Sequence, residues 1–85
     1  MSNFWYKPCS KCRSQGRLVV HKYMDDKSLF LCCDECMACW KTPQDADLSI
    51  NGFREFNIKS DYDVATEKDI EQSGWDLSLF REYKN

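Results

Sequence analysis

Four cysteines in two pairs are the residues of this chain whose type and spacing most directly specify chemistry. Cys9 and Cys12 bracket Ser10-Lys11, Cys33 and Cys36 bracket Asp34-Glu35, and 20 residues separate the pairs. A C-x-x-C puts two sulfurs on one tight turn, close enough to share an edge of a coordination tetrahedron. Two such turns brought together form a tetrathiolate cage, the preferred environment of zinc. The expected ligands are therefore Cys9, Cys12, Cys33 and Cys36. Four protein ligands leave no open position, so the expected ion is structural and does not activate water.

The second pair can be read in two registers. Cys36-Met37-Ala38-Cys39 has the same spacing, which leaves a Cys36/Cys39 pair open. The Cys33/Cys36 register is preferred because the apolar run Leu29-Phe30-Leu31-Cys32 then ends just before the first ligand. Trp40 also falls where a large aromatic can cover the apolar side of the site. Cys32 and Cys39 are then expected to be small buried hydrophobes. His21, the one histidine, lies mid-strand and far from both knuckles, so it is read as a half-exposed strand residue. Nucleophilic catalysis would need that same histidine beside an unliganded thiol of lowered pKa. No such pairing is evident, and the chain is not expected to be an enzyme.

These ligands must be positioned by a small frame. Eighty-five residues make one domain, and a chain this short buries only about 60–65% of its unfolded surface. A staple is expected, and a structural metal is one of the usual kinds. Disulfides are the rival staple. Residues 1–6 show no basic segment followed by an apolar one, so no secretory signal is expected. A cytoplasmic, reducing setting with free thiols follows from that reading. No apolar run approaches the ~20 residues of a membrane span.

Around the cysteines, Arg17–Tyr23 is β-branched and aromatic and reads as a strand, Asp25-Asp26-Lys27-Ser28 as a turn, and Leu29–Cys32 as a second strand. This hairpin would carry the second cysteine pair back to the first. Thr42-Pro43-Gln44-Asp45 reads as a loop or the start of a helical turn. Asn51-Gly52 is a turn dipeptide, and Phe53–Ile58 reads as a third strand with Phe56 and Ile58 on one face. Thr66-Glu67-Lys68-Asp69 has the form of a capping box with Asp in place of Glu. It predicts a short helix over residues 67–73, with Ile70 inward and Gly74 at its end. Leu77, Leu79, Phe80 and Tyr83 suggest a second short helix or an ordered terminal segment. The expected fold is small α+β: a zinc-ribbon hairpin in residues 1–44, then an acidic extension in 45–85 with a third strand and one or two short helices.

Lys7-Pro8-Cys9-Ser10-Lys11-Cys12 and Leu31-Cys32-Cys33-Asp34-Glu35-Cys36-Met37-Ala38-Cys39-Trp40 resemble the two knuckles of zinc ribbons. The string Thr66-Glu67-Lys68-Asp69-Ile70-Glu71-Gln72-Ser73-Gly74-Trp75 is similar to the end of small bacterial zinc-ribbon immunity proteins of contact-dependent growth inhibition and other polymorphic toxin systems. That resemblance implies a protein that binds one cognate toxin domain and blocks it.

The charge pattern bears on the same question. Residues 1–44 hold seven basic and four acidic residues, a surplus of three positive charges. Residues 45–85 hold five basic and ten acidic residues, a surplus of five negative charges. An acidic face of Asp61, Asp63, Glu67, Asp69 and Glu71, with Trp75 as an aromatic anchor, would suit a basic protein partner such as a nuclease toxin. The bland alternative is a solvated face with Trp75 in the core. A nucleic-acid-binding ribbon, using Lys7, Lys11, Arg13, Arg17 and Lys22 on phosphates, is a second reading. The net charge of -2 disfavours it, and no nucleic-acid partner is expected. An interaction module within a larger complex is the third. The chain is expected to be a monomer by itself.

Overall fold

The computed structural model describes residues 3–9, 11 and 16–83. It is a small α+β structure built on one antiparallel sheet of seven strands, in the order β5-β4-β3-β2-β1-β7, with β6 also paired to β2. The elements are β1 (Asn3–Pro8), β2 (Arg17–Tyr23), β3 (Leu29–Cys33), β4 (Ala38–Trp40), α1 (Pro43–Leu48), β5 (Phe53–Arg54), β6 (Tyr62–Val64), α2 (Glu67–Gln72) and β7 (Arg81–Tyr83). Single 3-10 turns occupy Glu55–Asn57 and Leu77–Leu79. Among the described residues, no helix is long and apolar enough to cross a membrane.

The β2–β3 hairpin is the spine. Its register runs from Leu18 opposite Cys33 to Lys22 opposite Leu29. The connecting turn is closed by Tyr23 N–H donating to the Ser28 carbonyl at 2.9 Å, while the Asp26 carboxylate accepts from the Ser28 backbone and hydroxyl. Alternation along the strands then sorts side chains onto two faces. Leu18, Val20, Leu29, Leu31 and Cys33 enter one buried cluster with Cys9, Trp40, Ala46, Ile70 and Phe80. Phe30, Cys32 and Cys39 form a smaller cluster, flanked by Tyr23, Phe53, Ile58 and Tyr62.

The acidic half of the chain closes the first face. Thr66 accepts from Asp69 N–H, and the Asp69 carboxylate accepts from Thr66 N–H, so the capping box is formed as the sequence predicts. α2 buries Ile70 and ends at Ser73, followed by Gly74 at φ 85°. Lys22 of β2 reaches the Asp69 carboxylate at 2.9 Å, which ties α2 to the sheet. On α1, Asp47 accepts from Tyr6 at 2.8 Å and Lys7 at 2.6 Å, tying that helix to β1.

Several short elements differ from the sequence reading. The aromatic run Phe4-Trp5-Tyr6 before the first cysteine pair lies in strand β1, and β4, β6 and β7 are three-residue strands that carry too little pattern to be seen alone. The third strand expected over 53–58 stops after Arg54. The chain turns there, and Phe56, expected to share a face with Ile58, is 66% exposed. Of the two readings for the segment after Trp75, it is the ordered terminal segment that forms, as a 3-10 turn and a strand.

His21 is half-buried on the second face, with its ring 5.4 Å from Phe30 and 5.7 Å from Tyr62. Its Nδ1–H donates to the Val19 carbonyl at 3.0 Å. Burial lowers its pKa below the ordinary value, outweighing that carbonyl and the Glu55 and Asp63 charges, which act upward. In the window between the folded pKa and about 6.5, the unfolded chain binds a proton that the folded chain does not. Stability should therefore fall as pH drops from about 6.5, and this contribution should level off below the folded pKa. In thermal melts taken from about pH 7.5 to about pH 5, His21→Phe should lose less stability than the parent. Equal slopes would show that His21 titrates alike in both states.

Candidate metal centre

The first knuckle follows β1 and the second is the turn between β3 and β4. Cys9 is fully buried, Cys33 is 1% exposed and Cys36 is half-buried. Their sulfurs all lie within 4.8 Å of one another, and Cys9 Sγ is 3.6 Å from Cys36 Sγ. Thiolates on a tetrahedral zinc, each at about 2.3 Å, stand roughly 3.8 Å apart. The separation fits a shared ion. Cys12, the expected fourth ligand, and Arg13 lie outside the described residues.

The local backbone explains the convergence. Met37 adopts φ 63° and lets the β3–β4 turn close tightly. Cys33 Sγ accepts from Glu35 N–H at 3.3 Å and from Cys36 N–H at 3.4 Å. Such donors favour the thiolate over the thiol. The turn is fastened to β2 by Asp34 N–H donating to the Arg17 carbonyl and Arg17 N–H donating to the Asp34 carboxylate. Arg54 donates to the Cys36 carbonyl at 3.2 Å. Cys9 N–H donates to the Gly16 carbonyl at 2.8 Å. Trp40, 1% exposed, belongs to the same buried cluster as Cys9 and Cys33, and Cys36 packs against it.

Cys39 is not in this cluster. It pairs directly across the β3–β4 ladder with Cys32, and the two are joined as a disulfide. The expectation of a disulfide-free chain, with Cys32 and Cys39 as small buried hydrophobes, is overturned. Both are indeed fully buried, but the hairpin register places their side chains against each other on the face opposite Cys33. Once β4 is recognised and the turn placed at residues 34–37, antiparallel pairing sets Cys32 opposite Cys39. Among the described residues the three sulfurs of the first group could share a metal; Cys32, Cys39 and Glu55 also lie within 4.8 Å of one another, but the disulfide denies that group its thiolates.

The proposed partner-facing residues divide. Asp61, Asp63, Glu67 and Glu71 are exposed, on β6 with its preceding residue and on α2. Asp69 is committed to the Thr66 cap and to Lys22. Its pKa is lowered: burial alone would raise it, but the Thr66 and Lys22 hydrogen bonds prevail. Trp75 is half-buried and stacks on Phe80 at 5.7 Å, packed against the main core. Of the basic residues near the first knuckle, Lys7 is paired with Asp47 and Lys22 with Asp69, and Arg17 lies over the Trp5 ring at 5.1 Å.

No protein-family model, curated protein or solved structure matches this chain.

Proposed function

We propose that this chain is a non-catalytic cytoplasmic inhibitor, an immunity protein that occludes a basic toxin domain, with zinc at Cys9, Cys12, Cys33 and Cys36 as its structural staple. One observation carries the reading. A pocket of about 350 Å³ is lined by Phe4 and Val64 together with Asp63, Glu67, Glu82, Thr66 and Lys22, and Lys22 is itself paired with Asp69. Apolar side chains beside three carboxylates suit the stem and head of a Lys or Arg side chain. Two supports stand beside it. The acidic surplus of residues 45–85 favours fast association with a basic surface. Two of the lysines a nucleic-acid reading would use are already in ion pairs. Three buried or half-buried thiols around one point suit a zinc site that Cys12 would close as fourth ligand, leaving no vacant position for substrate.

The test pairs the chain with the toxin domain encoded beside its gene. A one-to-one complex and relief of toxicity are expected. Reversing Asp63, Glu67 and Glu71 to Lys should slow association about tenfold or more at low salt and weaken protection, with fold and metal content unchanged. A parent chain that forms no complex and gives no protection overturns the reading. Specific sub-micromolar binding to DNA or RNA at physiological salt would replace it with the nucleic-acid-binding one.

A further inference from the structure

The two cysteine groups make opposite redox demands. A thiolate cage needs reduced sulfurs, whereas Cys32 and Cys39 are oxidised. The groups sit on opposite faces of β3, because Cys32 and Cys33 are consecutive in a strand. The second face also holds Glu55, whose carboxylate lies within 4.8 Å of both the Cys32 and Cys39 sulfurs. We propose that reduction of the Cys32–Cys39 disulfide opens a second metal site, in which the two released thiolates and the Glu55 carboxylate bind zinc.

The placement of Glu55 is what points to a ligand. It is half-buried, and among the described residues it has no ion-pair partner. Its Oε2 accepts from the Tyr62 hydroxyl at 2.9 Å, which leaves Oε1 available and orients the carboxylate. A hydrogen bond of this kind to a ligating group is a usual support for a metal site. Its backbone N–H donates at 2.9 Å to the Met37 carbonyl, and that same carbonyl oxygen lies 3.6 Å from Cys39 Sγ. A disulfide sulfur has no proton to offer there; the reduced Cys39 thiol does. Glu55 also lines a pocket of about 400 Å³ with His21 and Met37, so its side chain can be reached from solvent. The strand carrying Cys39 has three residues and is flanked by a two-residue edge strand, so local opening toward a reductant disturbs few ladder bonds.

The chemistry balances with a dithiol reductant. Its thiolate attacks one sulfur, the Cys32–Cys39 bond breaks, and its second thiol resolves the mixed disulfide. Two electrons and two protons pass to the protein, and the reductant leaves as a disulfide. Binding Zn²⁺ then releases the two thiol protons. Two thiolates and a carboxylate against Zn²⁺ leave one negative charge and one open coordination position. The new site thus differs from the four-cysteine site proposed on the other face.

The experiment compares one preparation in two redox states. The oxidised chain is equilibrated with zinc in a buffered excess and its metal counted. The same chain is then reduced anaerobically with a water-soluble phosphine, which becomes the phosphine oxide by taking oxygen from water, and is recounted after the phosphine is removed. One additional zinc per chain is expected on reduction. Cobalt substituted for zinc should show a matching gain in thiolate-to-cobalt charge-transfer absorption. Tyr62→Phe should keep the added ion at about tenfold weaker affinity or worse. The Cys32→Ser, Cys39→Ser double variant should bind the same number of ions in both states. No added zinc in the reduced parent chain overturns the proposal, and so does an added ion that survives in the double variant. Neither result depends on toxin binding.

Discussion

Stripping the proposed zinc from the Cys9, Cys33 and Cys36 site should unfold this protein. With a strong chelator, the cooperative thermal transition should disappear and restoring zinc should bring it back. The magnitude decides the matter. Apparent binding free energies for structural zinc are about 10–16 kcal/mol near neutral pH, whereas an ordinary domain is stable by only about 5–15 kcal/mol in total. The Cys32–Cys39 disulfide cannot substitute. It joins residues seven apart in sequence, and even a 15-residue loop gains only about 3 kcal/mol from such a link. Without the ion, sulfurs within 4.8 Å of one another cannot all remain thiolates. They must take up protons, and the contacts that converge β1 with the β3–β4 turn lose their centre. Cys33→Ser should therefore release the ion and abolish the transition, and elemental analysis together with calorimetry reads both effects. Cys39→Ser should retain the ion and lower stability by about 2–3 kcal/mol through loss of the disulfide. A chain that melts cooperatively at the same temperature with and without chelator would show that the apolar core is sufficient.

Much of the frame for this site was legible in the chain, and what was not has a physical reason. The β2–β3 hairpin was readable because β2 is β-branched and aromatic, β3 is an unbroken apolar run, and an Asp-rich turn lies between them. The helix at residues 67–72 was readable because Thr66 and Asp69 satisfy each other's backbone and side chain locally. The same local chemistry explains why Asp69 is a poor candidate for contact with a partner, although composition alone made it one more acid on an acidic segment. Strands β4, β6 and β7 are different. Each has three residues and exists because β3, β2 or β1 offers an unpaired edge, which is tertiary information. Missing β4 is what concealed the disulfide: with residues 37–40 read as the tail of a knuckle, nothing set Cys39 opposite Cys32. Phe56 was misplaced by assuming that the alternation of Phe53–Ile58 continued. The backbone instead turns at Glu55, where Glu55 N–H is held by the Met37 carbonyl.

A single methyl group at residue 16 should damage the metal site more than a much larger change elsewhere on the surface. Gly16 is buried where the first knuckle returns to β2, and a Cβ added to it would stand 2.4 Å from Cys33 Sγ and 3.0 Å from Glu35 Cβ and Cγ. Carbon and sulfur cannot approach that closely, so something must shift. Glu35 is exposed, but its Cβ is fixed by the turn that holds Cys33. The sulfur is held by two backbone N–H groups and would be held further by an ion. Gly16 itself is anchored, because its carbonyl accepts from Cys9 N–H. The strain therefore falls on the distance between Cys9 and Cys33, which is the distance that a shared ion must span. Overpacking of this kind costs about 1–3 kcal/mol in an ordinary core; here most of it should appear as lost metal affinity, on the order of tenfold to a hundredfold by 1.4 kcal/mol per decade. Gly74→Ala is the informative contrast. Gly74 has φ 85°, and a Cβ added there would meet nothing within 4 Å, so alanine should cost about 1 kcal/mol of backbone strain and leave metal binding untouched. Competition titration with a zinc chelator, run beside thermal melts, separates the two. If Gly16→Ala binds zinc as tightly as the parent while losing stability no faster than Gly74→Ala, then Cys33 is not among the residues that hold the ion.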